Sequence, residues 1–162
     1  MLSIETLSNN HSQQAVDLIL PIQQIEFGVS ITLEDQPDLL DIQGYYNQPG
    51  GIFLGAFKDN ELVGTIALIN VGHVTGVIRK MFVKKELRGK ELGVAQQLLQ
   101  SLLDYSKEKG IADIYLGSVA QMKAAHRFYE RNGFISIRKE ELPAYFPRMT
   151  LDNVFYHLSL SK

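Results

Sequence analysis

The sequence predicts a mixed α/β domain in which one sheet is covered by helices. Three observations carry this. Apolar runs of strand length follow one another between residues 51 and 83. Two segments with helical apolar periodicity, 93–109 and 122–132, come next. Each of those helices meets a glycine, Gly110 or Gly133, just before another apolar strand.

From the start of the chain, Leu2 to Leu7 sets Leu2, Ile4 and Thr6 against Ser3 and Glu5, the alternation of an opening strand. Ala15, Val16, Leu18, Ile19 and Ile22 recur at helical spacing, with a break or kink expected near Pro21. Glu26 to Asp35 is expected to be a loop. A short helix is expected from Pro37, suited to a first helical turn, to Gly44. Gly51–Phe57 and Leu62–Asn70 flank Lys58-Asp59-Asn60-Glu61, a hairpin signal with Asp59-Asn60 at its tip. Val77–Val83 is the next strand. In the helix from Gly93 to Lys109, Val94, Leu98 and Leu102 form one stripe, with Ala95, Leu99 and Leu103 beside it. Ile111–Leu116 is a short strand, Met122–Asn132 a helix, and Phe134–Ile137 and Val154–Leu160 close the sheet. The loop Glu140–Asp152 between the last two carries Pro143 and Pro147.

The length of 162 residues suits one domain spanning 1–162. A net charge of -2 argues against a nucleic-acid partner, because neutralising phosphates requires a basic excess. The absence of cysteine excludes disulfides, thiolate metal sites and an acyl-cysteine route. Met1–Asn10 lacks the pattern of a signal peptide, and the longest apolar stretch, Leu62–Val71, is too short to span a bilayer. A cytoplasmic protein without a membrane partner is expected. His11, His126 and His157 show no ligand spacing, and no metal is expected.

The chemistry concentrates between a strand end and a helix start, in Val83-Lys84-Lys85-Glu86-Leu87-Arg88-Gly89-Lys90-Glu91-Leu92-Gly93-Val94-Ala95. A helix N-terminus leaves N–H groups unpaired and carries partial positive charge, which suits phosphate. Gly89 and Gly93 let backbone approach a ligand, and Lys84, Lys85, Arg88 and Lys90 add positive charge. Basic glycine-containing turns are also common without any ligand. The run lacks the Gly-Lys-Ser/Thr of a Walker loop and the three glycines of the dinucleotide fingerprint.

Arg79-Lys80-Met81-Phe82-Val83 followed by Arg88-Gly89-Lys90-Glu91-Leu92-Gly93 resembles the Arg/Gln-x-x-Gly-x-Gly/Ala signature of the GNAT superfamily of N-acetyltransferases. Ala125-His126-Arg127-Phe128-Tyr129-Glu130-Arg131-Asn132-Gly133-Phe134 resembles its second signature. The resemblance runs from about Gly51 to the end of the chain. It implies a mostly antiparallel central sheet with helices on both faces, and acetyl-coenzyme A as cosubstrate. Two positions depart from the pattern: Glu91 stands at its middle glycine, and Met122 where many members have asparagine.

The resemblance also implies roles. Met81, Phe82, Val83, Arg88, Gly89, Lys90, Leu92, Gly93 and Val94 are the expected cofactor-binding residues, with the backbone of Phe82 and Val83 polarising the acetyl carbonyl. Tyr129 is the expected general acid toward the coenzyme A thiolate; on the residues alone it equally completes an apolar helix face. The acceptor pocket is expected from 26–46 and 142–148, with Glu26, Tyr45, Arg79 and Phe146 as substrate residues. Tyr46, Tyr145 and Arg148 are further candidates. Glu26, Glu34, His73 or a water relay are the candidates for the base. The implied reaction is direct attack by a primary amine of a small molecule or amino acid. The alternatives are an acetyl-coenzyme A-binding regulator and a protein acetyltransferase. A homodimer is an expectation by analogy alone.

Overall fold

The computed structural model describes residues 2–89, 93–149 and 151–160. The predicted hairpin is present: β2 (Ile52–Lys58) turns into β3 (Glu61–Gly72) through Asp59 and Asn60, with φ of 52° and 69°. A two-residue turn matching the strand twist demands that left-handed pair, which Asp and Asn tolerate best among residues with a side chain. β1 (Leu2–Thr6) lies antiparallel on β2, and β4 (Thr75–Val83) antiparallel on β3. α2 (Val94–Glu108) crosses over to β5 (Asp113–Ser118), which lies parallel to β4. α3 (Lys123–Arg131) leads to β6 (Ile135–Ile137), and β7 (Val154–Ser159) inserts between β5 and β6. The sheet has 7 strands in the order β1-β2-β3-β4-β5-β7-β6, and β4–β5 is its parallel pair.

Alternation along β2 distributes the core. Leu54 and Ala56 face the layer holding Leu98, Leu99 and Leu102 of α2, whose side chains are fully buried. Each such burial contributes about 1.5–3 kcal/mol. Phe53 and Phe57 face the opposite layer, where α1 (Ser12–Pro21) contributes Ala15, Val16 and Ile19. Helices therefore cover both faces, as expected.

The break expected near Pro21 is present: Pro21 ends α1, and a π-helical turn over Ile22–Glu26 continues directly, closed by Phe27 N–H to Ile22 C=O at 3.0 Å. One expectation changes. The helix expected over Pro37–Gly44 is a 3-10 turn at Pro37–Leu40 and a π-helical turn at Gln43–Asn47. Asp41 separates them with non-helical backbone, and its carboxylate accepts the Gly44 N–H at 3.1 Å. A short acidic side chain that satisfies the backbone itself competes with the helix.

One irregularity positions the site. The β3–β4 register slips between Thr65↔Phe82 and Ala67↔Arg79, a bulge at which Lys80 has φ of 56°. The Thr65 hydroxyl donates to the Lys80 carbonyl at 2.7 Å and holds the bulge in place. The β4–β5 ladder ends at Ile78↔Leu116, while Gly117 and Ser118 pair only with β7. Beyond Ile78 the two parallel strands part.

Candidate active site

Two cavities flank the parting of β4 and β5. They share Phe27, Met81, Phe82, Met122 and Ala125 in their walls.

The first cavity, about 470 Å³, runs from the end of β4 to the start of α2. Its inner stretch is apolar, with Met81, Phe82, Ala125 and Phe128. Its outer end holds Arg88, Gly89 and Gly93. Gly93 caps α2 in the left-handed conformation (φ 65°), and among the described residues no side chain caps the first turn of that helix. Gly89 has φ of 114°, with open space where a Cβ would stand. An apolar channel ending at an uncapped helix N-terminus suits an extended ligand with a phosphate group.

Arg88 uses its side chain within the protein. Its Nε donates to the Val83 carbonyl at 2.8 Å, and its guanidinium grips both oxygens of Glu26 and lies over the Phe27 ring. The Arg88 partnership holds the Glu26 carboxyl below its ordinary value of 4.5. This clasp ties the turn after α1 to the loop before α2.

The second cavity, about 480 Å³, lies on the other side of the shared wall. Arg79, Lys80 and Arg148 line it, as do Asp35 and Asp152. Lys80 is nearly buried, 3.6 Å from Asp38, whose carboxylate also accepts the Tyr46 hydroxyl. Burial lowers the Lys80 pKa, against the opposing effect of Asp38. Burial raises that of Asp152, against the effects of Arg79 and Lys80. Gly117 makes room for Asp152, because a Cβ there would stand 2.4 Å from its carboxylate. Among the described residues neither Arg79 nor Arg148 makes an ion pair, and the Arg79 Nε is buried without a partner. One Arg79 amino group donates to the Pro147 carbonyl, which offers no compensating charge.

Tyr129 lines this second cavity from α3 and is 4% exposed, its ring set against Phe128, Phe134 and Tyr156. Burial pushes its pKa far up, so the phenol keeps its proton throughout the neutral range.

The expected cofactor-binding residues Met81, Phe82, Val83, Arg88, Gly89 and Gly93 line the first cavity. Val94, the first residue of α2, does not line the cavity but is buried in the core between α2 and the sheet. Lys90 and Leu92, with Glu91, lie outside the described residues. Of the expected substrate residues, Arg79 lines the second cavity. Glu26 is engaged by Arg88, and Tyr45 is exposed away from both cavities. Phe146 is buried against Val77 and Phe155, with Tyr115 edge-on to it. Glu34 is exposed, and His73 stacks on Tyr145 at 4.0 Å; neither lines a cavity.

Sequence reasoning did not single out Asp35, Asp152 or Lys80, which line the second cavity. For Lys80 there was a signal, a lysine inside a strand expected to be apolar. The bulge that turns it left none. Among the described residues no group of three or more His, Cys, Asp or Glu is placed to hold a metal ion, and no helix is long and apolar enough to cross a membrane.

The acetyltransferase (GNAT) family matches residues 16–134. An acetyltransferase of that family from Staphylococcus aureus Mu50, known from its crystal structure, is 34% identical, with a TM-score of 0.95 over 99% of this chain and 100% of its own. N-acetylaspartate synthetase from Danio rerio is 30% identical over 129 residues, 76% of this chain. The chain spans only 45% of that relative's length. Spermidine N(1)-acetyltransferase from Thermoplasma acidophilum is 34% identical over 83 residues, 51% of this chain and 50% of its own. The match covers both cavities' strand and helix framework, and the chain belongs to the acetyltransferase (GNAT) family, whose cosubstrate is acetyl-coenzyme A.

Proposed function

We propose that this chain acetylates the amine of a small acceptor carrying a carboxylate, by direct attack on acetyl-coenzyme A bound in the first cavity. N-acetyl transfer dependent on acetyl-coenzyme A is the chemistry of the family to which it belongs. The observation that carries the acceptor class is the cationic wall of the second cavity, where among the described residues Arg79 and Arg148 make no ion pair and Asp152 offsets Arg79 only in part. A half-buried guanidinium whose Nε is buried and unsatisfied recovers lost hydration best from a carboxylate, to which it can bond through two hydrogens. A polyamine such as spermidine would face two arginines and a lysine against two aspartates there, a positive balance, so the N-acetylaspartate synthetases are the better guide to the acceptor.

The thioester of acetyl-coenzyme A supplies the acyl group. The uncapped first turn of α2, with Gly89 and Gly93, holds the pyrophosphate on backbone amides, and Met81, Phe82, Ala125 and Phe128 pack the pantetheine arm. Beyond Ile78, β4 has lost its β5 partner while keeping β3, which leaves the N–H that points away from β3, at Phe82 or Val83, to donate to the acetyl oxygen. Tyr129 stands on the acceptor side of the shared wall and gives its proton to the departing thiolate. Asp152 balances part of the positive wall and offers a counter-charge to the acceptor's ammonium.

The test is release of free coenzyme A thiol with aspartate, glutamate, their decarboxylated amines, and spermidine. The carboxylate-bearing acceptors are expected to turn over at least tenfold better, and Arg79→Met to erase that preference while leaving acetyl-coenzyme A binding unchanged. Equal turnover with the decarboxylated amines or spermidine would overturn the acceptor class.

A further inference from the structure

An amine acceptor arrives as an ammonium, and it attacks only after losing a proton. Glu26, Glu34 and His73, the candidates from sequence, do not line the acceptor cavity. Asp152 does; burial raises its pKa while Arg79 and Lys80 oppose that rise, and the Asp152→Asn variant below separates it from the pair described next.

Ser118 lines the same cavity at the end of β5, past the last residue paired with β4. Its Oγ is 3.1 Å from Nε2 of His126, one turn into α3. His126 is half-buried, so its ring joins the cavity wall to solvent. We infer that Ser118 and His126 form the relay that takes the proton from the acceptor amine. The inference rests on the acetyl-transfer reading above. An ammonium N–H bond breaks as the proton moves to Ser118 Oγ, and the serine's own proton moves to His126 Nε2. The serine ends unchanged, and the imidazolium returns its proton to water. Ser118 is thus the catalytic residue and His126 acts through it.

The surroundings fit that use. Lys123 and Glu130 face the ring from α3, Val119 offers a backbone hydrogen bond, and Tyr156 of β7 packs 5.8 Å away while its hydroxyl donates to Glu130 at 2.7 Å. Burial, then Lys123, lower the His126 pKa below its ordinary 6.5, and Glu130 and the Val119 hydrogen bond oppose them. The ring is therefore neutral at pH 7 and able to accept a proton.

The experiment follows kcat against pH for the wild type, His126→Gln, Ser118→Ala, Ser118→Thr and Asp152→Asn. Acetyl-coenzyme A binding is measured by calorimetry, and the His126 tautomer by nitrogen NMR of the free protein. In the wild type, kcat is expected to fall on the acid side with a midpoint below 6.5. His126→Gln and Ser118→Ala are expected to abolish that limb and lower kcat about 100-fold at unchanged cofactor affinity. Ser118→Thr, which keeps a hydroxyl, restores most of the rate, and the neutral ring carries its proton on Nδ1. A limb that survives His126→Gln, or that only Asp152→Asn removes, overturns the relay, as does a neutral ring protonated at Nε2. If the wild type binds acetyl-coenzyme A yet releases no thiol with any amine, the acetyl-transfer reading falls and the relay falls with it.

Discussion

The two cavities are built by different means. The cavity proposed for the donor is assembled from the end of β4, the loop after it, the start of α2 and one face of α3, and it presents backbone, small or apolar side chains and arginines. The acceptor side draws Gln23, Asp35, Lys80, Ser118, Tyr129 and Asp152 from segments scattered along the chain, and it presents buried charge. Backbone recognition needs only a local conformation, so a short motif specifies it. Recognition by buried side chains needs compensating partners, which only folding brings within reach.

The sharpest way to break this contrast is Tyr129→Phe. The phenol stands beside the wall that both cavities share, and its loss is expected to lower kcat by 10²–10³-fold. Acetyl-coenzyme A affinity measured by calorimetry should not change. Because burial raises the Tyr129 pKa, wild-type kcat is also expected to show no alkaline fall from this group up to pH 10. A comparable loss of affinity would move Tyr129 from chemistry to packing.

Asp38→Asn probes the acceptor side. It leaves the Lys80 ammonium buried without its countercharge, and the expected cost is about 3 kcal/mol in urea unfolding. A cost under 1 kcal/mol would mean that Lys80 finds another partner or gives up its proton.

Gly93→Val probes the donor side. A β-branched residue at φ of 65° costs roughly 1–2 kcal/mol and crowds the helix N-terminus. Weaker acetyl-coenzyme A binding, by about tenfold, is expected with the acceptor KM unchanged. An unaltered affinity would place the pyrophosphate elsewhere.

The smallest effect belongs to the clasp. Glu26→Gln is expected to cost under about 1 kcal/mol, since both partners are partly solvated. Arg88 depresses the Glu26 pKa, so the clasp's contribution is present above pH 4.5 and is lost as pH falls through the lower folded value. The difference in thermal midpoint between wild type and variant should therefore close below pH 4.5. A difference that persists in acid would assign the effect to packing on Phe27.

Helix and strand positions were legible where periodicity and turn chemistry agreed, as in the Asp59-Asn60 hairpin and in α2, with Gly110 beyond its end. They were less legible at 37–47, where Asp41 diverts the backbone through its own side chain. Arg79 and Arg148 could be named as candidates for a carboxylate because an amino-acid acceptor would require one, and both line the second cavity. His126 looked idle because its partner, Ser118, lies across a strand-to-helix turn and no spacing rule pairs them.

By itself the sequence determined the order of elements, a sheet covered by helices and the basic, glycine-containing turn from Val83 to Ala95. These depend on contacts between near neighbours and on backbone conformations that glycine, proline and apolar periodicity encode. Only the tertiary structure decided where the acceptor side forms. The bulge at Lys80 and the end of the β4–β5 ladder at Ile78 open that space, and both arise from register between strands distant in the chain.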